Sequence, residues 1–164
     1  MKEGVSDLVL AFHRAWLIAK FEEILRRTVL AIRQLDDEEL NWRPNDNSHS
    51  IATLVKHIEG NVQERVVKGI LKREIQRNRE EELMHEFITK SQLIERITGS
   101  LELTIHTIDN MSAAKFEEKQ QVRKRERTNL DMLHQCAAHY SEHMGQILYI
   151  AKMCKNEDYI STSI

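Results

Sequence analysis

His139 and His143 stand four residues apart in a stretch, Ala138 to Lys152, whose apolar residues recur every three or four positions. On a helix that spacing puts both imidazoles on one face, with Cβ atoms about 6 Å apart. Two ring nitrogens so placed can hold one divalent cation. The same spacing equally suits two histidines at the edge of a core, each hydrogen-bonded to a neighbour. A third ligand would decide between the two. His57 is the best placed: it flanks an apolar stripe beside Leu54 and Ile58, with Asn61 one turn on. Three imidazoles from two helices would leave one side of a metal open to water or substrate.

Other chemistries compete for the same residues. His139-Tyr140-Ser141-Glu142-His143 matches the inverted zinc-peptidase pattern H-x-x-E-H. That pattern needs a further ligand well downstream, and only 21 residues follow His143. A ferritin-like di-iron centre needs two Glu-x-x-His motifs and two more glutamates. Only Glu82-x-x-His85 fits, in what reads as a connection, so that centre is rejected. Cys136, one turn before His139, could be a ligand or nucleophile, though a small buried hydrophobe explains it more simply. His13, His49, His85, His106 and His134 have no supporting spacing and read as surface or structural.

Four helices must position these residues. Helical apolar periodicity runs from about Ser6 to Gln34, and its apolar surface is wider than one core face needs. That width implies deep burial or a second contact, such as a dimer partner. The pattern fades at Asp36-Asp37-Glu38-Glu39, before the only proline, in Asn41-Trp42-Arg43-Pro44. Ser50 is an N-cap candidate for a second helix that dissolves near Lys72. Residues 72–88 are polar and charged, and a connection that long is usually functional or crosses the domain. Thr89 and Gln92 have capping-box spacing for a third helix through Ile108. Residues 110–128 read as a solvated loop, although Val122 could lie in a short strand and the basic cluster around Arg123 could touch a phosphate-bearing ligand. Thr128 then caps a last helix from about Asn129 to Lys155, and a polar tail occupies 156–164.

Composition agrees with that outline. The 164 residues (19.3 kDa) fit one domain, and Gly and Pro together number only 6, too few for a turn-rich sheet fold. Charged residues at 30% and apolar ones at 41% exclude a disordered chain. No apolar run is long enough to span a membrane. A net charge of −2 weighs against nucleic-acid binding. The opening Met1-Lys2-Glu3-Gly4-Val5-Ser6-Asp7 places an acid where a signal peptide needs a basic and then apolar run. With Cys136 and Cys154 far apart in sequence, a reducing, cytoplasmic setting is expected.

Several stretches together resemble the DinB/YfiT-like superfamily of four-helix bundles, and within it the branch of the Bacillus protein YizA. They are Asn41-Trp42-Arg43-Pro44, the run from Ser50 to Asn61, Arg77-Asn78-Arg79-Glu80 and, above all, Ala138 to Lys152. The resemblance implies an all-α bundle with up-down-down-up topology, the long crossover joining the second and third helices. It implies a divalent metal, zinc or nickel first and manganese or iron as alternatives, held by His57, His139 and His143. It also implies a homodimer and a small-molecule substrate, since relatives include thiol-dependent S-transferases and hydrolases. On that reading Asn61 and Gln146, each about one turn from a ligand, would orient ligands or water. Glu142 is a candidate base, although a straight helix points it away from the histidine face. The competing expectation is a non-catalytic dimeric binding protein with a structural or vestigial metal site. Two departures stand out: Arg123 to Thr128 replaces a glycine-containing turn, and Asp158-Tyr159-Ile160-Ser161 replaces a Trp-containing tail expected near the site.

Overall fold

The computed structural model describes residues 3–163; Met1, Lys2 and the terminal Ile164 of the readings above lie outside it. Helix α1 spans Glu3–Arg33. A short α2, Asp37–Asn41, follows, closed by an Asp36/Glu39 capping box where the sequence reading ended in a connection. Helix α3, Ile51–Val62, starts on Ser50, whose hydroxyl accepts from Thr53 N. It runs on as a π-helical turn, Gln63–Lys68. The crossover carries a short helix α4, Arg79–Leu83. Helix α5, Lys90–Asn110, opens on the Thr89/Gln92 capping box. After α6, Ala113–Glu117, comes an antiparallel hairpin of β1, Lys119–Val122, and β2, Arg125–Thr128. The basic stretch expected as a loop is therefore an ordered ribbon. Helix α7, Asn129–Lys155, begins on Thr128, which accepts from Asp131 N.

The long helices form an all-α four-helix bundle, and cross-links between helix ends fix their directions. Arg14, early in α1, donates to the carbonyls of Ile108 and Met111 at the end of α5, so α1 and α5 run antiparallel. His13 Nδ1 meets His134 Nε2 at 3.0 Å near the starts of α1 and α7, and Arg26 late in α1 reaches the tail carbonyl of Thr162. Those two helices run parallel. Asn61, late in α3, accepts from Tyr140 in the middle of α7, while Gln120, just before α7, donates to Arg65 O beyond α3. So α3 opposes α7 and parallels α5, and the order is up-down-down-up. Parallel neighbours cannot be joined by a tight turn, which is why residues 69–89 must cross the bundle.

The core is built where the helical stripes meet: Leu17, Phe21 and Ile24 of α1, Leu54 and Ile58 of α3, Leu101 of α5 and Tyr140 of α7 are at most 2% exposed. Buried Asn41 ties the crossover down, donating to Ile88 O at 2.8 Å and accepting from Ile88 N at 3.0 Å. On α1 the apolar surface exceeds what the core uses: Leu8, Phe12 and Trp16 are 73%, 66% and 42% exposed. No helix among the described residues is long and apolar enough to cross a membrane.

A candidate three-histidine metal centre

Helices α3 and α7 bring His57, His139 and His143 together. The Nε2 atoms of His139 and His143 are 2.8 Å apart, and the His57 ring packs edge-on to both, with centroids 5.3 and 5.0 Å away. One ligand atom from each of the three lies within 4.8 Å of the other two. Nitrogens bound tetrahedrally at metal–nitrogen distances of 2.0–2.1 Å sit about 3.3 Å apart. The His139–His143 pair therefore needs to open only by a fraction of an ångström to take an ion. Gln146 Oε1 accepts from His143 Nδ1 at 2.9 Å, which leaves the lone pair of a neutral His143 on Nε2, facing the cluster.

His57 gives the clearest sign of fit. Its Nδ1 is buried without a hydrogen-bond partner, and the Glu82 carboxylate stands 3.6 Å from it. An unpaired buried nitrogen is costly. Metal-ligating histidines commonly direct their second ring nitrogen at a carboxylate, the arrangement approached here. Burial, reinforced by His143 and His139, lowers the His57 pKa to about 4 against the opposing pull of Glu82. Burial and His143 lower that of His139 as well. Near neutral pH both rings are uncharged, the form that binds metal.

Glu82 is held in turn. Arg77 grips both its oxygens, with Nε–Oε1 and Nη2–Oε2 distances of 2.5 and 3.0 Å. The carboxylate lies directly over Gly60, where any Cβ would collide with it. Gly60, one turn after His57 and in a helix interior, thus lets α4 close onto α3. Beyond the rings the site is open: His57 and His139 line a cavity of about 650 Å³, and His139 also lines a second of about 570 Å³.

Residues 12–164 match the family described as "Protein of unknown function (DUF1572)". The chain belongs to the DUF1572 family. No curated protein matches this DUF1572 chain. Among solved structures it is similar to a DinB-like protein, YjoA, from Bacillus subtilis, with a TM-score of 0.63 and 16% identity over 88% of this chain and 96% of that one. The DUF1572 chain therefore has a DinB-like fold.

The other site candidates fall in different places. Gln146 contacts His143, as above. Asn61 makes no hydrogen bond to the three rings among the described residues; its Oδ1 accepts from Tyr140 Oη at 2.8 Å, with Cys136 Sγ 3.7 Å away. Glu142 is exposed. Burial pushes the Cys136 thiol up to about 11, so it is protonated at neutral pH and is no ready nucleophile. The tail lies away from the cluster, docking on α1 through Gln34 and Ile160. His13 and His134, unpaired by spacing, pair across the bundle.

Glu82 is the residue that motif reasoning passed over. In the sequence it stands out only as half of a di-iron motif, yet the crossover returns it to His57 while His85 goes to a separate cavity beside Trp42. The readable signal was Gly60, a glycine inside an otherwise good helix.

Proposed function

We propose that this chain is a divalent-metal-dependent enzyme acting on a small molecule, with His57, His139 and His143 as the ligands. The observation that carries the reading is the convergence of three imidazoles beside open cavities, with His57 Nδ1 buried and unpaired against Glu82. An all-nitrogen donor set suits zinc or nickel first, with manganese or iron as alternatives. A divalent ion there supplies a Lewis acid that polarises an electrophile and lowers the pKa of water or a thiol. The chain's own residues set the stage. Gln146 fixes the tautomer and tilt of His143. Glu82, clamped by Arg77, stands 3.6 Å from His57 Nδ1 and would accept from that N–H, raising the basicity of the ring, once the ring turns onto a metal. Asn61 lines both cavities.

The reaction is transfer of a low-molecular-weight thiol to an electrophile, or hydrolysis of a small substrate. Within the DinB-like proteins, the stretch from Ala138 to Lys152 supports placement in the YizA branch. Thiol conjugation and ester or amide hydrolysis should be followed with zinc- or nickel-loaded protein, chelator-stripped protein and His139→Ala/His143→Ala. Turnover confined to the loaded wild type supports the reading. Equal rates in all three, or no turnover despite full metal loading, contradict it.

The second reading is a non-catalytic dimer with a structural metal, favoured by exposed Leu8, Phe12 and Trp16 along α1. That face would join two copies whether or not the centre is catalytic. Sedimentation of wild type beside Phe12→Glu tests it: a dimer that the charge dissociates is expected, and a wild-type monomer refutes the face. Both cysteines are free, which fits a cytoplasmic protein.

A further inference from the structure

We infer that the cleft beside the three histidines takes a small polyanion, a molecule with two or more negative charges as phosphate or carboxylate groups, anchored by Arg65 and Arg123. The two cavities at the site meet at Asn61, Arg65, Arg123 and His139, which line both. Of the charged side chains lining them, all but Glu64 are cationic, on a chain whose net charge is −2. The positive charge is thus concentrated where a substrate would enter, an arrangement that focuses field on anions.

Many of these cations are already neutralised. Arg77 is held by Glu82, Lys72 by Glu118 and Arg127 by Asp131, while Lys68 lies near Glu64. Among the described residues, Arg65, Arg79, Arg123, Lys124 and Arg125 have no acidic partner. Arg65 sits on the π-helical turn and Arg123 at the tip of the hairpin, so two separate elements present guanidinium groups to one space. Two planar forks facing one cleft suit oxyanions, which each can grip with paired N–H donors.

The backbone at both residues is distinctive. Arg123 has φ 57°, at the first of two loop residues, a position that glycine normally fills in a hairpin turn. Gly69 lets Gln120 of β1 close against the π-helical turn, where its amide donates to Arg65 O at 3.3 Å. A nucleic acid fits less well: no Phe, Trp or Tyr lines either cavity, so stacking platforms for bases are missing there among the described residues.

The inference rests on the metal-centre reading only for where the reacting group lies. The test is calorimetric titration at physiological ionic strength. The probes are phenylphosphonate, tricarballylate, neutral benzamide and a single-stranded oligonucleotide. Wild type, Arg65→Gln, Arg123→Gln and Arg65→Lys are compared, with metal content and circular dichroism recorded for each. Micromolar binding of at least one anion, weakened about tenfold or more by each glutamine variant and less by Arg65→Lys, which keeps the charge but loses the fork, supports the inference. Which anion binds tells phosphate from carboxylate recognition. Anions bound no better than benzamide by metal-loaded protein overturn it and leave the metal centre standing. Binding that depends on Arg65 and Arg123 in a protein taking up no metal supports it and removes the metal centre instead. Oligonucleotide binding without small-anion binding overturns it in favour of a nucleic-acid surface.

Discussion

Glu82 ties the chemistry of the centre to the chain's longest connection. If it orients His57, Glu82→Gln should keep the fold and lower metal affinity by about 10- to 100-fold, the range for an outer carboxylate. Competition with a chromogenic chelator measures that, and unchanged affinity would reduce Glu82 to a partner of Arg77. His57 also makes a statement about pH. Its pKa is about 4 in the folded chain against an ordinary 6.5, so between those values the unfolded chain binds more protons. Stability of metal-free protein should therefore be level above pH 6.5 and fall as pH drops toward 4, with His139 adding in the same direction. Denaturant unfolding at pH 7.5, 5.5 and 4.5 checks the slope, and His57→Ala should flatten it. At this scale the sequence was legible where spacing is local, as for His139 and His143. It was illegible for Glu82 and for the His13–His134 pair, whose partners are brought together only by tertiary packing.

The later long helices were legible where a side chain caps the helix start, but the short α2, α4 and α6, capped by Asp36, Asn78 and Ser112, were not. Ser50, Thr89 and Thr128 each start a helix through a bond spanning three residues, so those starts could be placed from sequence. The hairpin was not, because its strands carry few apolar residues and its turn lacks the usual glycine. That turn predicts a trade. Arg123→Gly should relieve the positive φ and stabilise the protein by up to about 1 kcal/mol, while weakening anion binding as Arg123→Gln does. Thermal unfolding reads the first and titration the second; a loss of stability would contradict the strain argument. Gly60→Ala should behave in the opposite way to most glycine replacements in helices, which gain about 1 kcal/mol. Its methyl group displaces the Glu82 carboxylate, so metal affinity should drop by about tenfold or more with α3 still helical.

For the whole molecule, up-down-down-up order, the crossover and the site form one design. Parallel α3 and α5 force a long connection, and that connection returns Glu82 to His57 and Arg77 and Arg79 to the cleft. The topology was implied by resemblance and is fixed in the structure by contacts between helix ends. The central claim is that His57, His139 and His143 form one metal centre. It is tested most directly by metal content, measured by mass spectrometry on untagged protein purified without chelator and again after loading with zinc, nickel or manganese. Wild type, His57→Ala and His139→Ala/His143→Ala should be compared, with circular dichroism as the control for folding. About one equivalent in wild type, lost in both folded variants, is the predicted result. Wild type without metal after loading, or folded variants that keep it, would contradict the account.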